Sequence, residues 1–230
     1  MPSRLLLVFL KEPLPSQVKT RLAAGVGSEQ AVTIYRAMVH ILLQQLGGLE
    51  DCQLRICYAP DDAQDAIRFW ILPEIMGSPE IDLDPDVIDF RPQGEGDLGV
   101  RLARATLQAF DAGFQKVAVI GSDCIEISSR WIHAAFAQLN EQHDAVIGPT
   151  PDGGYHILAT KRAHLELFEG IPWSSSQTFA TTLTRAEANK IATYQLPSLP
   201  DIDTEEDYQA ALAGPLGRRL QKLVEQAPQR

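Results

Sequence analysis

A chain of 230 residues with 45% hydrophobic and 22% charged residues has room for one α/β core, expected over residues 1–230, and is too ordinary in glycine and proline for a disordered or fibrous protein. Its net charge of −10 argues against a nucleic-acid backbone as partner, so any phosphate site must be built locally from a few cations and backbone N–H groups. The three cysteines, Cys52, Cys57 and Cys124, match no zinc spacing and are expected to be reduced thiols of a cytoplasmic protein.

Leu5 to Leu10 is too short an apolar run to span a membrane and reads as a first strand. It leads into KEPLPSQVKTRLAAGVG, read as a loop carrying Lys11, Lys19 and Arg21 and closed by Gly25 and Gly27. Cations after the first strand of a doubly wound sheet suit nucleotide phosphates, although neither the Walker nor the dinucleotide glycine spacing is present. The alternative is a solvated basic loop, which is less expected in so acidic a chain. Ser28 is expected to cap a helix that buries Val32, Tyr35, Val39, Leu42, Leu43 and Leu46 and serves packing alone, with Gly47 and Gly48 stopping it. Leu54, Ile56 and Tyr58 alternate as a strand, and Asp61 to Leu72 reads as a short helix.

Asp82, Asp84 and Asp86 resemble the start of a calcium loop but lack its glycine and closing glutamate, which leaves a solvated acidic loop. In PQGEGDLGVRL, Gly94, Gly96 and Gly99 surround Asp97, and three glycines before a helix suit close backbone approach to a flat ligand. Lys116 to Cys124, KVAVIGSDC, is a buried strand that breaks at Gly121 and presents Asp123 beyond its carboxyl end, where open α/β sheets bind ligands. Asp123 either holds a divalent cation against a phosphate or, with Ser122, caps the next helix.

After a strand at Ala145 to Gly148, Asp152-Gly153-Gly154 is either a hairpin turn or, with Tyr155, part of a sugar or acceptor pocket. Trp173 either packs in the core or forms a stacking wall, and Ser176 is a candidate cap for a helix over residues 177–188. Ala192 to Leu196 reads as a last strand. Asp201 and Asp203 stand one residue apart and Thr204 begins a helix, capped by Asp203 or Thr204 unless Asp203 is instead a second carboxylate facing Asp123. The tail, Leu216 to Val224, reads as a basic amphipathic helix docked on the surface. Alternating strands and helices predict a three-layer α/β/α sandwich with a mostly parallel mixed sheet.

Seven segments stand in one order: FLKEP, VKTRL, GDLGVRL, IGSDC, GPTPDGGY, IPWS and DIDTEED. In that order the chain resembles the GT-A-fold nucleotide-diphospho-sugar transferases, and within them a glycosyltransferase family related to phospholactate guanylyltransferases. The resemblance implies that Lys11, Lys19 and Arg21 grip phosphates, that Gly94, Asp97 and Gly99 border the base, and that Asp123 and Asp203 hold Mg²⁺ or Mn²⁺. It further implies that Asp152, Gly153, Gly154, Tyr155 and Trp173 shape the acceptor side, with Asp152 as the candidate general base. The chain departs from the family at Ser16, usually glycine, at Ile125, His156 and Ser175, and at Gly121, which leaves no Asp-x-Asp pair at Asp123. The expected reaction moves a sugar from a nucleotide-diphosphate donor to a small acceptor. The alternatives are nucleotidylyl transfer, with release of pyrophosphate, and non-catalytic nucleotide binding on the same scaffold.

Overall fold

The computed structural model describes residues 3–227. Among them, strands β1 (Arg4–Lys11), β2 (Cys52–Ala59), β3 (Asp89–Pro92), β4 (Lys116–Ile120), β5 (Ala145–Pro149), β6 (Tyr155–Thr160) and β7 (Thr193–Gln195) form one sheet in the order β3-β2-β1-β4-β6-β5-β7. Only β6 runs against its neighbours; β1 pairs in parallel with both β2 and β4.

The central strands are apolar on both faces because both faces are covered. Along β1, Leu6, Val8 and Leu10 join one core, while Leu5, Leu7 and Phe9 join the other. Helices α2 (Ser28–Gln45), α3 (Gln64–Gly77) and α5 (Ser129–Gln138) cover the first face, and α4 (Leu98–Asp111) and α6 (Thr178–Ala188) the second. This is the three-layer mixed sandwich that the strand–helix alternation predicts. A third core lies outside the sandwich: α2 turns Ile34, Met38 and Ile41 away from the sheet, where α1 (Thr20–Val26), α7 (Glu205–Ala213) and α8 (Gly217–Gln226) bury them. The tail helix is thus anchored by Leu220, fully buried against α2. No helix among the described residues is long and apolar enough to cross a membrane.

Several local expectations need correcting. The second half of the basic loop is helical, as α1, because Leu22 reaches the third core and fixes that turn. Gly27, not Ser28, is the N-cap of α2, and the Ser28 hydroxyl lies 3.2 Å from that of Ser16. Helix α3 begins at Gln64, later than expected, and runs on through Pro73. The Asp61 carboxylate instead accepts the Gly94 N–H at 2.9 Å. Asp97 is the N-cap of α4, accepting the Val100 N–H at 2.9 Å, so Gly99 lies in the first turn of the helix and not in a loop. The Gln177 N–H finds the Ser175 hydroxyl, not Ser176. Of the two caps open for α7, Thr204 is the one used, in a reciprocal box with Asp207, which leaves the Asp203 carboxylate for other partners.

Ser16 has φ of 62°, in the left-handed region where glycine has no steric cost, which accounts for the family's usual residue there. Gly99 is needed for a different reason. A Cβ there would come within 2.5 Å of the Trp173 ring nitrogen and 2.6 Å of the Phe168 carbonyl oxygen. Gly99→Ala should therefore destabilise the protein by about 1–3 kcal/mol, as overpacking does, and shift Trp173. Urea unfolding followed by tryptophan fluorescence checks this; an unchanged midpoint and spectrum would contradict it.

Candidate active site

The sheet changes winding direction between β1 and β4, since the chain leaves β1 toward β2 and returns on its other side as β4. Such a switch point opens a crevice beyond the carboxyl ends of the two strands. Lys11 ends β1, and Gly121, Ser122 and Asp123 follow β4. Tyr35, from α2, fastens the two ends together. Its hydroxyl accepts the Lys11 N–H at 3.0 Å and lies 3.3 Å from the Ser122 hydroxyl. Burial pushes that phenol up to about 12, so it acts as a neutral strut. The helix expected to serve packing alone therefore also shapes the crevice.

Two chambers occupy the crevice. The larger, about 480 Å³, is lined by Lys11, Lys19, Arg21 and Arg101 together with Gly96, Asp97 and Asp203. The smaller, about 190 Å³, is lined mainly by apolar and aromatic side chains, among them Phe9, Leu102, Tyr155 and Trp173. Tyr155 and Trp173 meet edge to face with ring centroids 6.2 Å apart. Phe9, Leu98, Gly121, Asp123 and Ser174 line both chambers, so the Asp123 carboxylate stands at their junction.

Asp123 and Asp203 do meet around a positive charge, but that charge is the ammonium of Lys19. Lys19 Nζ contacts Asp123 Oδ1, donates to Asp203 Oδ1 at 2.9 Å and to the Ile202 carbonyl at 2.6 Å, and its side chain is only 4% exposed. Burial, the largest influence on Lys19, favours the neutral amine, yet the two carboxylates outweigh it and hold its pKa above the usual value. Lys19 is therefore paired with two carboxylates while also lining the larger chamber. Arg21 also pairs with Asp203, but its side chain is 60% exposed and open to a ligand. Burial would raise the Asp203 pKa, but the charges of Lys19 and Arg21 dominate and lower it.

Asp203 also belongs to a group of three carboxylates among the described residues that could hold a metal. Asp152, Asp201 and Asp203 each offer a carboxylate oxygen, all within 4.8 Å of one another. Burial and then the charges of Asp152 and Asp203 push Asp201 up to about 6, as expected of crowded carboxylates. Such hard oxygen donors suit Mg²⁺ or Mn²⁺.

Asp152 itself lines neither chamber. It accepts from the Thr150 hydroxyl at 2.6 Å and the Gly154 N–H at 2.9 Å, closing the β5–β6 hairpin. Both of these bonds fall on Oδ1, so the turn fixes the carboxylate and leaves Oδ2 available. Gly153 has φ of 89°, and its turn packs against the Ser176 backbone, while Gly154 and Tyr155 reach the smaller chamber. Gly94 and Gly99 line neither chamber. Gly94 packs under Arg104, and Gly99 under Trp173.

Sequence reasoning missed Tyr35, Gln93, Arg101, Ser122 and Asp201. Arg101 follows Asp97 by one helical turn, and that spacing was the available signal. Gln93 is buried and donates to the carbonyls of Leu10 and Cys57 at the ends of β1 and β2, a long-range role without a local signature.

His156, whose ring lies against Trp131 and near the Pro197 carbonyl, has its pKa pushed down to about 4 by burial. Its folded value is below its unfolded one, so its stabilising contribution is complete above about pH 6.5 and is lost as pH falls through about 4. His156→Gln should remove on the order of 3 kcal/mol from the acid-induced loss of stability between those limits. Urea unfolding of both proteins at pH 6.5 and pH 4 reads this difference, and parallel pH profiles would refute it.

The fold has solved counterparts. A protein from Desulfovibrio desulfuricans G20, classed provisionally as a nucleotide-diphospho-sugar transferase, is 30% identical with a TM-score of 0.81, over 98% of both chains. A cytidylyltransferase from Leptospira borgpetersenii is 12% identical with a TM-score of 0.58, over 98% of this chain and 93% of that one. Glucosyl-3-phosphoglycerate synthase of Mycobacterium tuberculosis, solved with Mn²⁺, UDP and glucosyl-3-phosphoglycerate, is 10% identical with a TM-score of 0.53, over 96% of this chain and 80% of that one. At such low identities the last two speak for the fold alone. None of the curated proteins compared with the sequence matches it. Residues 42–175 match the family described as "Uncharacterized protein conserved in bacteria (DUF2064)", and with that match spanning more than half of its length the chain belongs to this family.

Proposed function

We propose that this chain is a metal-dependent transferase that moves a sugar from a nucleotide-diphosphate donor to a small acceptor. The observation that carries this reading is the position of Asp123 between a cation-lined chamber and an aromatic one. Lys11, Arg21 and Arg101 offset the charge of a diphosphate in the larger chamber, and Gly96 and Asp97 border it. The acceptor enters the smaller chamber and offers its hydroxyl to Asp123. Lys19 holds Asp123 through Oδ1 and leaves its other oxygen as the base. Asp152, Asp201 and Asp203 would hold Mg²⁺ or Mn²⁺. Such an ion would supply positive charge to offset that of the departing nucleotide.

Nucleotidylyl transfer is the second reading, supported by the likeness in fold to a cytidylyltransferase and including the relation to phospholactate guanylyltransferases that the motifs suggest. It requires a triphosphate donor and releases pyrophosphate.

The deciding experiment is a thermal-shift screen of nucleoside diphosphates, triphosphates and nucleotide sugars, with and without Mn²⁺. A nucleotide sugar and Mn²⁺ should stabilise only together, by about 2.7 kcal/mol at a hundredfold excess over Kd. Asp201→Asn should abolish the dependence on Mn²⁺. Stabilisation by triphosphates alone, with pyrophosphate released, would replace the first reading with the second. No response to any nucleotide would end both.

A further inference from the structure

The smaller chamber has a chemistry that restricts what enters it. Its volume of about 190 Å³ is close to that of a cavity of about 150 Å³ known to take one benzene ring, so it has room for a single six-membered ring. Its walls are mostly apolar and aromatic, with Phe9, Leu102, Tyr155 and Trp173 foremost, and its polar side chains besides Asp123 are the hydroxyls of Ser174 and Thr178 and the imidazole of His156, which burial keeps neutral at pH 7. No lysine or arginine is among the described residues that line it, and its one formal charge is the carboxylate of Asp123. The neighbouring chamber holds four basic side chains, of which Lys19 is paired with Asp123 and Asp203 and Arg21 with Asp203. The cations are thus confined to one side of Asp123.

A phosphate or carboxylate group in the smaller chamber would lose water, gain no cation, and face a like charge at Asp123. Burial of an unpaired ion in such surroundings is strongly unfavourable. An uncharged ring suffers neither cost. Its faces meet the aromatic walls, and one hydroxyl donates to a charged oxygen, a stronger bond than one between neutral groups.

We infer that the acceptor is an uncharged alcohol built on one six-membered ring, with the ring against Tyr155 and Trp173 and its hydroxyl donated to Asp123. This rests on the transferase reading above and adds the class of acceptor. It also bears on the choice of reaction, since a phosphorylated acceptor, which nucleotidylyl transfer requires, has no counter-charge in this chamber.

Benzyl alcohol and benzyl phosphate share a ring and differ in charge, and their binding to the full chain is measured by calorimetry and saturation-transfer NMR. Benzyl alcohol should bind at least tenfold more tightly than benzyl phosphate, and Trp173→Ala should weaken it at least fivefold. Leu98→Lys, a change at a side chain 40% exposed, should reverse the preference by adding the missing cation. Equal or tighter binding of benzyl phosphate to the unmodified protein overturns the inference, as does an alcohol affinity indifferent to Trp173→Ala in a folded variant. A preference for the alcohol that Leu98→Lys leaves intact does the same.

A nucleoside diphosphate should leave benzyl alcohol in place. Displacement by an intact nucleotide sugar, but not by the bare diphosphate, would assign the chamber to the donor's own sugar and overturn the assignment to the acceptor. The nucleotide screen fails separately. If no nucleotide binds while the alcohol preference holds, the transferase reading falls and the selectivity of the chamber stands. If nucleotides bind and benzyl phosphate wins, only the acceptor class falls.

Discussion

Asp123→Ala should lower turnover by about 10²–10⁴-fold and leave the fold standing, as loss of a general base does. The fold survives because the side chain is 47% exposed and because Lys19, once freed from it, keeps Asp203 and the Ile202 carbonyl as partners. The loss of stability should stay near 1 kcal/mol, the scale of a half-exposed ion pair. Turnover is followed as nucleoside diphosphate released from the donor found by thermal shift, and stability by urea unfolding. Asp123→Asn distinguishes a base from a mere spacer: it keeps the shape and should be as inactive as the alanine variant. Full activity in either variant would remove Asp123 from the chemistry.

Lys19→Met has the opposite profile, with its largest effect on stability. It leaves Asp123 without its cation and Asp203 with only the exposed Arg21, and unpairing a buried ion is more costly than losing a surface pair. A loss of about 2–3 kcal/mol is expected, below the fully buried range because Asp123 reaches solvent. The sign of its pH dependence follows from the two shifts. Lys19 binds its proton more tightly in the folded chain, so its contribution is intact below about pH 10.4 and is lost as pH rises through the folded value. Asp203 is shifted down, so its contribution is present above about pH 3.9 and is lost as pH falls through its folded value.

The methionine variant should therefore be less stable than the parent throughout the neutral range, and the gap should close toward both extremes. Adding Asp203→Asn to Lys19→Met should recover part of the loss, because the second change removes one of the stranded charges. Chemical unfolding across pH provides both readings. A constant gap at all pH values, or strict additivity in the double variant, would show that the triad is not an electrostatic unit.

The sequence by itself determined the architecture and the end of the sheet at which to look. Apolar runs such as Leu5 to Leu10 and Val117 to Ile120 are local patterns, and a doubly covered parallel sheet is the structure that accommodates them. Asp123, at the carboxyl end of the central strand, was legible for the same reason, and so was the basic character of the segment after β1. Helix caps were less legible: Asp97 reads as part of a ligand loop and caps α4, and the choice between Asp203 and Thr204 as the cap of α7 is decided only by the N–H groups they face.

Tertiary structure alone decided the partners. The bond from Lys19 to Asp203 spans 184 positions and that from Gln93 to Leu10 spans 83, distances over which no residue pattern reports proximity. For that reason Lys19 reads as a phosphate ligand in sequence and is a buried counterion to two acids in the fold. Of the two readings open for Asp152-Gly153-Gly154, the contacts of Asp152 bear out the hairpin turn. The placement of all cations on one side of Asp123 likewise arises because β1, α1 and α4 converge there while β6 and the loop before α6 supply the other wall. Charge type is written residue by residue, whereas charge neighbourhood is a property of the folded surface.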